Sequence, residues 1–209
     1  MDFATQIDHT VLGPEKTASD ISNLVDQAEE YGMNVCVPPR YVEYADSLTD
    51  NRLVTVVGFP NGTSKTSSKV FEAREAFDDG ADEIDMVAHI GDIKSEDVTS
   101  VQVEVEEVVR SVNVPVKVII ESHLLSESDI RAVCQACKDA NADFVKTSTG
   151  FSGGGAEIQD VKMMSEYLPV KASGGISNLD EALRMIEAGA ERIGASSGYE
   201  IMKEYEETS

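Results

Sequence analysis

Short apolar runs rich in valine and isoleucine alternate along this chain with longer segments whose apolar residues recur every three or four positions. The short runs predict strands at Ile7–Thr10, Asn34–Val37, Val54–Phe59, Glu83–Ala88, Val116–Glu121, Asp143–Ser148, Val170–Ser173 and Arg192–Ala195. The longer segments predict helices at Ala18–Tyr31, Tyr41–Leu48, Ser67–Asp79, Val98–Val112, Glu127–Ala140, Ile158–Tyr167 and Leu179–Ala188, with a last helix from Tyr199 towards Tyr205. Ser126-x-x-Asp129 and Asn178-x-x-Glu181 fit the pattern of a capping box at a helix start. Gly32, Gly80 and Gly189 fall where helices should stop, since glycine accepts the left-handed conformation found there.

Strict alternation of eight strands with helices favours a parallel sheet closed into a (β/α)8 barrel, the TIM-barrel architecture, as one domain over residues 1–209. The rival is an open doubly wound sheet, which normally carries a glycine-rich phosphate turn after its first strand. Here the glycine-rich turns come late, after the sixth, seventh and eighth strands, where the barrel fold tends to hold a phosphate. No linker, low-complexity tract or internal repeat divides the chain.

Composition narrows the classes of partner. The net charge of −22, from 39 acidic against 17 basic residues, repels nucleic acid and anionic membranes, so neither is expected to bind. An acidic surface that stays hydrated in concentrated salt accounts for such a charge; a basic protein partner is the competing reading, though there is no discrete acidic tail beyond Glu204, Glu206 and Glu207. No apolar run is long enough to cross a bilayer, and the first residues lack the basic and apolar regions of a signal peptide, which predicts a soluble cytoplasmic protein. Cys134-Gln-Ala-Cys137 matches C-x-x-C but falls inside a predicted helix with no second cysteine pair, so two small helix residues are expected there rather than a redox or zinc motif. His9, His89 and His123 are scattered without metal-ligand spacing, and no metal or other cofactor is expected.

The chemistry concentrates in charged residues on apolar strands. Lys146 and Lys171 each follow a short β-rich stretch and precede a Ser/Thr/Gly-rich turn. Stripping water from an ammonium is costly, and two ammoniums on neighbouring strands disfavour each other, so both effects lower a lysine pKa. A lowered pKa is what an amine needs to attack a carbonyl near neutral pH. The bland alternative is a pair of lysines whose stems lie along the strand ends with their heads in water. Asp85 and Lys117 also lie on predicted strands, and in a barrel all four side chains project towards a common centre. Three lysines against one aspartate do not neutralise, and Glu121 closes only part of that gap; an excess of amine suits a nucleophile better than a structural staple. Gly150, Gly174-Gly175 and Ser196-Ser197-Gly198 read as an anion cradle, because glycines let backbone N–H groups approach a phosphate and the start of the last helix adds partial positive charge.

Six motifs, in order along the chain, carry a resemblance to a known family. Ile-Asp-His-Thr-Val-Leu12, Val-Gly-Phe-Pro-Asn-Gly62, Glu-Ile-Asp-Met-Val87, Val-Lys-Val-Ile-Ile-Glu121, Phe-Val-Lys-Thr-Ser-Thr-Gly150 and Val-Lys-Ala-Ser-Gly-Gly-Ile176 resemble those of the deoxyribose-phosphate aldolases. The resemblance implies a TIM barrel and a metal-free class I aldolase that cleaves 2-deoxy-D-ribose 5-phosphate to acetaldehyde and D-glyceraldehyde 3-phosphate, in deoxyribose phosphate catabolism. It also implies that Lys146 is the Schiff-base lysine, Lys171 the second lysine, Asp85 the acid/base carboxylate and Lys117 a further active-site lysine. Gly150, Gly174, Gly175, Ser196 and Ser197 are expected to hold the phosphate, and a homo-oligomer, dimer or tetramer, is expected. The chain departs from the family at Phe151, where some members carry a lysine that would contact phosphate, at Ala88-His89, where less bulk is usual, and at a C-terminus without a terminal tyrosine. His89 is expected to be structural. Another Schiff-base aldolase for a different sugar phosphate and a non-catalytic phosphosugar sensor are the competing readings.

Overall fold

Strand after strand in this chain is buried on both faces, which a parallel sheet achieves by wrapping its inner face on itself and covering its outer face with helices. The computed structural model describes residues 3–208, so Met1, Asp2 and Ser209, which the expected domain range of 1–209 includes, lie outside the described residues. Eight parallel strands close into a barrel in sequence order: β1 Ile7–Thr10, β2 Asn34–Val37, β3 Leu53–Val57, β4 Glu83–Val87, β5 Val116–Ile119, β6 Phe144–Lys146, β7 Val170–Ser173 and β8 Ala190–Ala195, with β8 pairing back onto β1. The open-sheet alternative is therefore excluded.

Helices α1 Ala18–Tyr31, α2 Val42–Asp46, α3 Thr66–Asp78, α4 Ile90–Lys94, α5 Val98–Val109, α6 Glu127–Asp139, α7 Ile158–Met164, α8 Leu179–Glu187 and α9 Gly198–Thr208 form the outer layer. The expected helices are all present, several shortened at the C-terminal end; α4 was not expected. Five residues are too few for hydrophobic periodicity to register, and α4 owes its start to His89, whose ring accepts the Asp92 amide at 3.3 Å and lies 2.9 Å from the Asp92 carboxylate. His89 is thus a helix cap, in keeping with the structural reading.

Local signals explain the other ends. The capping box predicted at Ser126 is complete, and an equivalent box forms at Thr17 with Asp20, which the sequence reading did not pick out. At Asn178 only half forms: its side chain accepts the Glu181 amide, while the Glu181 carboxylate reaches past Asn178 to accept the Ser177 amide at 2.8 Å. Gly32 ends α1 with φ of 75°, the left-handed cap its position predicts. Cys134 and Cys137 are packed in the core on α6; burial pushes the Cys134 thiol up to about 12 and the Cys137 thiol well above its usual value. Both behave as small apolar residues at ordinary pH.

The apolar core lies between strands and helices, filled by residues such as Ile7, Leu24, Met33, Ile84, Val118, Val133 and Ile193. The space inside the barrel is different. Inward positions that branched aliphatics usually fill are taken by Asp8, Glu83, Asp85, Lys117, Lys146, Lys171 and Arg192, all buried.

Candidate active site

Strand register assembles the interior. Lys146 on β6 stands opposite Lys171 on β7, Asp85 on β4 opposite Lys117 on β5, and Asp8 on β1 opposite Gly194 on β8. A register irregularity at Val170/Lys171 brings Lys171 opposite Arg192. Gly194 leaves room for Lys171: a Cβ there would stand 2.9 Å from the Lys171 Cε.

Asp85 is the hub. Its Oδ1 accepts from Lys117 Nζ at 2.9 Å, and its Oδ2 accepts from Lys146 Nζ at 2.8 Å and Lys171 Nζ at 2.6 Å. The four residues expected to converge, Asp85, Lys117, Lys146 and Lys171, thus meet at one carboxylate. Sequence reasoning missed the groups that complete the cluster. Asp8 Oδ2 lies 2.5 Å from Lys171 Nζ, an ion pair out of hydrogen-bond alignment, while Asp8 Oδ1 accepts from Asn34 Nδ2 at 2.9 Å and Arg192 Nη1 at 2.7 Å. Glu83 stands 2.6 Å from Lys117 and accepts both Arg192 terminal nitrogens, with Arg52 reaching it from the rim. The signal for Asp8 was available: it is a carboxylate in the apolar run of β1, the same oddity that singled out the lysines.

Glu121 corrects an expectation. It does not join the lysines; backbone in the left-handed region, φ 50°, turns it away to clamp the loop after β6. Its carboxylate accepts the Thr149 amide at 3.0 Å, the Thr149 hydroxyl, and the Ser152 hydroxyl at 2.6 Å.

The electrostatics separate the two lysines that the sequence treated alike. Burial lowers the Lys146 pKa and the Lys171 ammonium adds to this, against the attraction of Asp85. Burial acts on Lys171 too, but Asp8 and Asp85 outweigh it and raise its pKa. The expectation of a lowered pKa at both lysines therefore fails for Lys171, because a carboxylate unseen in the sequence reading holds its proton. Burial would raise the Asp85 pKa, yet Lys117, Lys146 and Lys171 together keep its carboxyl well below the ordinary value. Counting fully enclosed groups, three carboxylates (Asp8, Glu83, Asp85) face four cations (Lys117, Lys146, Lys171, Arg192). With Lys146 neutral the set balances three against three, so the cluster itself favours one uncharged amine.

That amine is also the one within reach. A cavity of about 480 Å³ opens at the C-terminal ends of the strands, and Lys146 is the member of the cluster that lines it. Gly150, Gly174, Gly175 and Ser196, four of the residues expected to hold a phosphate, line the same cavity. Ser197 does not: it precedes α9, and its carbonyl accepts the Ile201 amide at 3.0 Å, so its contribution is to open the helix rather than to line the cavity. The turns after β6 and β7 are stitched together, with the Thr147 hydroxyl bridging the Ser173 carbonyl and amide and the Ser173 hydroxyl donating to the Ser148 carbonyl at 2.6 Å. Gly174 takes φ of 89°, and Gly155, a residue not singled out from sequence, packs so close that a Cβ on it would meet the Gly174 carbonyl at 2.3 Å. Phe151 leans edge-on against Phe59, ring centroids 5.2 Å apart. Among the described residues no group of three or more His, Cys, Asp or Glu side chains is disposed to hold a metal ion, and no helix is long and apolar enough to cross a membrane.

Residues 3–204 match the family described as DeoC/LacD family aldolase. A protein of Natronomonas pharaonis named deoxyribose-phosphate aldolase is 51% identical over 96% of this chain and 93% of its own length. Among solved structures, the chain is similar to "QR15, an Aldolase", with TM-score 0.95 and 41% identity over 99% of this chain and 97% of that one. It is also similar to the deoxyribose phosphate aldolase of Aeropyrum pernix, described as having a unique tetrameric structure, with TM-score 0.91 and 32% identity over 99% and 92% of the two chains. A cavity-facing amine in a charge-compensated barrel, a family match over nearly every residue and relatives alike in sequence and shape agree: the chain belongs to the DeoC/LacD family of aldolases.

Proposed function

We propose that the protein is a deoxyribose-phosphate aldolase that cleaves 2-deoxy-D-ribose 5-phosphate reversibly to acetaldehyde and D-glyceraldehyde 3-phosphate through a Schiff base on Lys146. The observation that carries this reading is the single depressed amine at the cavity floor, next to a second lysine whose proton is locked in place.

Lys146 adds to the C1 carbonyl of the open-chain sugar, and the carbinolamine loses water to give an iminium. The iminium is an electron sink. As the C3 hydroxyl gives up its proton, the C2–C3 bonding pair flows into it, leaving an enamine on Lys146 and releasing D-glyceraldehyde 3-phosphate. Protonation of the enamine at C2 and hydrolysis then free acetaldehyde and the amine. Asp85, ionised among its cations, is the base of this sequence and Lys171, held protonated by Asp8 and Asp85, its acid, each passing protons directly or through a water. Lys117 keeps Asp85 oriented and charged. The backbone turns at Gly150, Gly174 and Gly175, with Ser196, hold the 5-phosphate, so that binding energy from a non-reacting group orients the reacting carbons.

The same proposal includes a cytoplasmic site of action, self-association of several copies, as in the tetrameric Aeropyrum pernix relative, and a surface adapted to brine, in keeping with relatives from halophiles. The test is borohydride reduction in the presence of 2-deoxyribose 5-phosphate followed by peptide mass spectrometry. An adduct on Lys146 is expected; an adduct only on another lysine, or none, overturns the assignment.

A further inference from the structure

The β1–α1 loop brings an ion pair to the mouth of the catalytic cavity that the reaction scheme does not use. Lys16 lines that cavity together with Gly150, Gly174, Gly175 and Ser196, and apart from Lys146 it is the only side-chain cation among the described lining residues. Its backbone is fixed on three sides: the carbonyl accepts the Tyr41 hydroxyl at 3.0 Å, the amide donates to the Gly13 carbonyl at 3.1 Å, and the next residue, Thr17, caps α1 through a complete capping box. Its side chain is one-third exposed and pairs only with Glu15, which is two-thirds exposed, at 3.1 Å. Glu15 itself folds back over Gly13, where any Cβ would strike its carboxylate. A backbone anchored on three sides thus carries a partly exposed cationic arm held by a weak, solvent-screened partner.

We infer that Lys16 is the side-chain cation that binds the substrate's phosphate, and that Glu15 occupies it until the phosphate arrives. This rests on the phosphosugar reading above and adds to it a residue that decides specificity. The need for such a residue is physical. The chain carries a net charge of −22, so a doubly charged phosphate approaches against the field of the whole protein. Backbone amides act at contact range, whereas an ammonium at the mouth acts further out and forms a charge-assisted bond on arrival. Phe151, the residue next to the cradle on β6's turn, is packed on Phe59 and supplies no charge. Swapping one exposed carboxylate for a phosphate carrying more charge leaves the ammonium better neutralised than before.

The test compares kcat/KM for 2-deoxyribose 5-phosphate with that for unphosphorylated 2-deoxyribose in wild type, Lys16→Gln, Lys16→Arg and Glu15→Gln. Lys16→Gln should lower the ratio by about tenfold or more, the scale of one charged hydrogen bond, and raise the inhibition constant of inorganic phosphate by a similar factor. Lys16→Arg should restore most of the ratio, and Glu15→Gln should move both readouts the opposite way from Lys16→Gln. A ratio and a phosphate inhibition constant unmoved in Lys16→Gln, while wild type still prefers the phosphorylated sugar, overturn the role of Lys16 alone. If wild type cleaves neither sugar, the enzymatic reading fails instead.

Discussion

The inside of the barrel and the outside of the molecule carry charge in opposite ways. Outside, acidic residues greatly outnumber basic ones and most stand apart in solvent; pairs such as Arg110–Glu106 are exposed and screened. Inside, cations outnumber carboxylates, every one is within ion-pair distance of a partner, and none but Lys146 opens to the cavity. Charge at the surface acts collectively and falls with salt, whereas charge in the interior acts through individual geometry and sets which lysine keeps its proton. The same residue type therefore has two meanings in one chain, and substitutions can separate them.

The largest effect is expected at Lys146. Lys146→Arg keeps the positive charge beside Asp85 but supplies no neutral amine, so cleavage should fall about 10⁴-fold, roughly 5 kcal/mol in barrier, with the fold retained. Single-turnover rates and circular dichroism read the two halves; turnover above about a hundredth of wild type, a loss of under roughly 3 kcal/mol, would remove Lys146 as the nucleophile.

Next comes Lys171→Leu, which leaves Asp8 Oδ2 without its cation, although Arg192 still holds Oδ1, and removes one of the three cations on Asp85. Loss of one partner of a buried pair costs about 3–5 kcal/mol, measurable by chemical denaturation. It also removes the like charge that depresses Lys146, whose neutral form carries the reaction in the proposed scheme, so the rising limb of the pH–rate profile should move to higher pH. A limb at its wild-type position would mean that the two lysines do not communicate.

A third expectation concerns acid. Asp8 and Asp85 have folded pKa values below their unfolded ones, Asp8 because Lys171, Lys117 and Arg192 outweigh the cost of its burial. Their stabilisation is present above the unfolded value, about pH 4, and is lost as pH falls towards the folded values. Asp8→Asn should flatten this part of the acid-unfolding curve, and an unaltered slope would contradict the pairing.

The surface should respond weakly to single changes and strongly only to salt. Thermal midpoints should rise from low to molar KCl as self-repulsion is screened; a flat or falling trend would favour a basic partner as the reason for the acidity. Glu106→Gln, which breaks an exposed pair, should alter stability by less than about 0.5 kcal/mol. A cost comparable to that of Lys171→Leu would erase the distinction between the two regions.

Much of this was legible in the chain. Eight of the helices, all but α4, and all eight strands follow from periodicity, with ends set by local chemistry at Ser126 and Gly32. Asp85, Lys117, Lys146 and Lys171 stood out because a charge in an apolar strand is costly wherever the strand lies. Glu121 was misplaced for a related reason: its backbone leaves the strand two residues after Ile119, and no periodicity announces a left-handed residue. Ser196 and Ser197 could not be told apart in sequence, because adjacent serines in a turn look equivalent until the cavity opens at one and helix α9 starts from the other.

The sequence by itself determined the alternation of elements, the barrel that closes them and four of the charged residues inside it, Asp85, Lys117, Lys146 and Lys171. These depend on neighbours a few positions apart and on the cost of dehydrating a charge. Only the tertiary structure decided how the physical environments of the two lysines differ, with one lining the cavity and the other enclosed between two carboxylates. Lys146 and Lys171 sit in similar local sequence, and the difference between them is made by Asp8, which lies 163 positions from Lys171 in the chain and 2.5 Å from it in space, and by the cavity that reaches one ammonium and not the other. Electrostatic interaction depends on distance through the folded protein, and that distance exists only once β1 and β7 are both in the closed barrel.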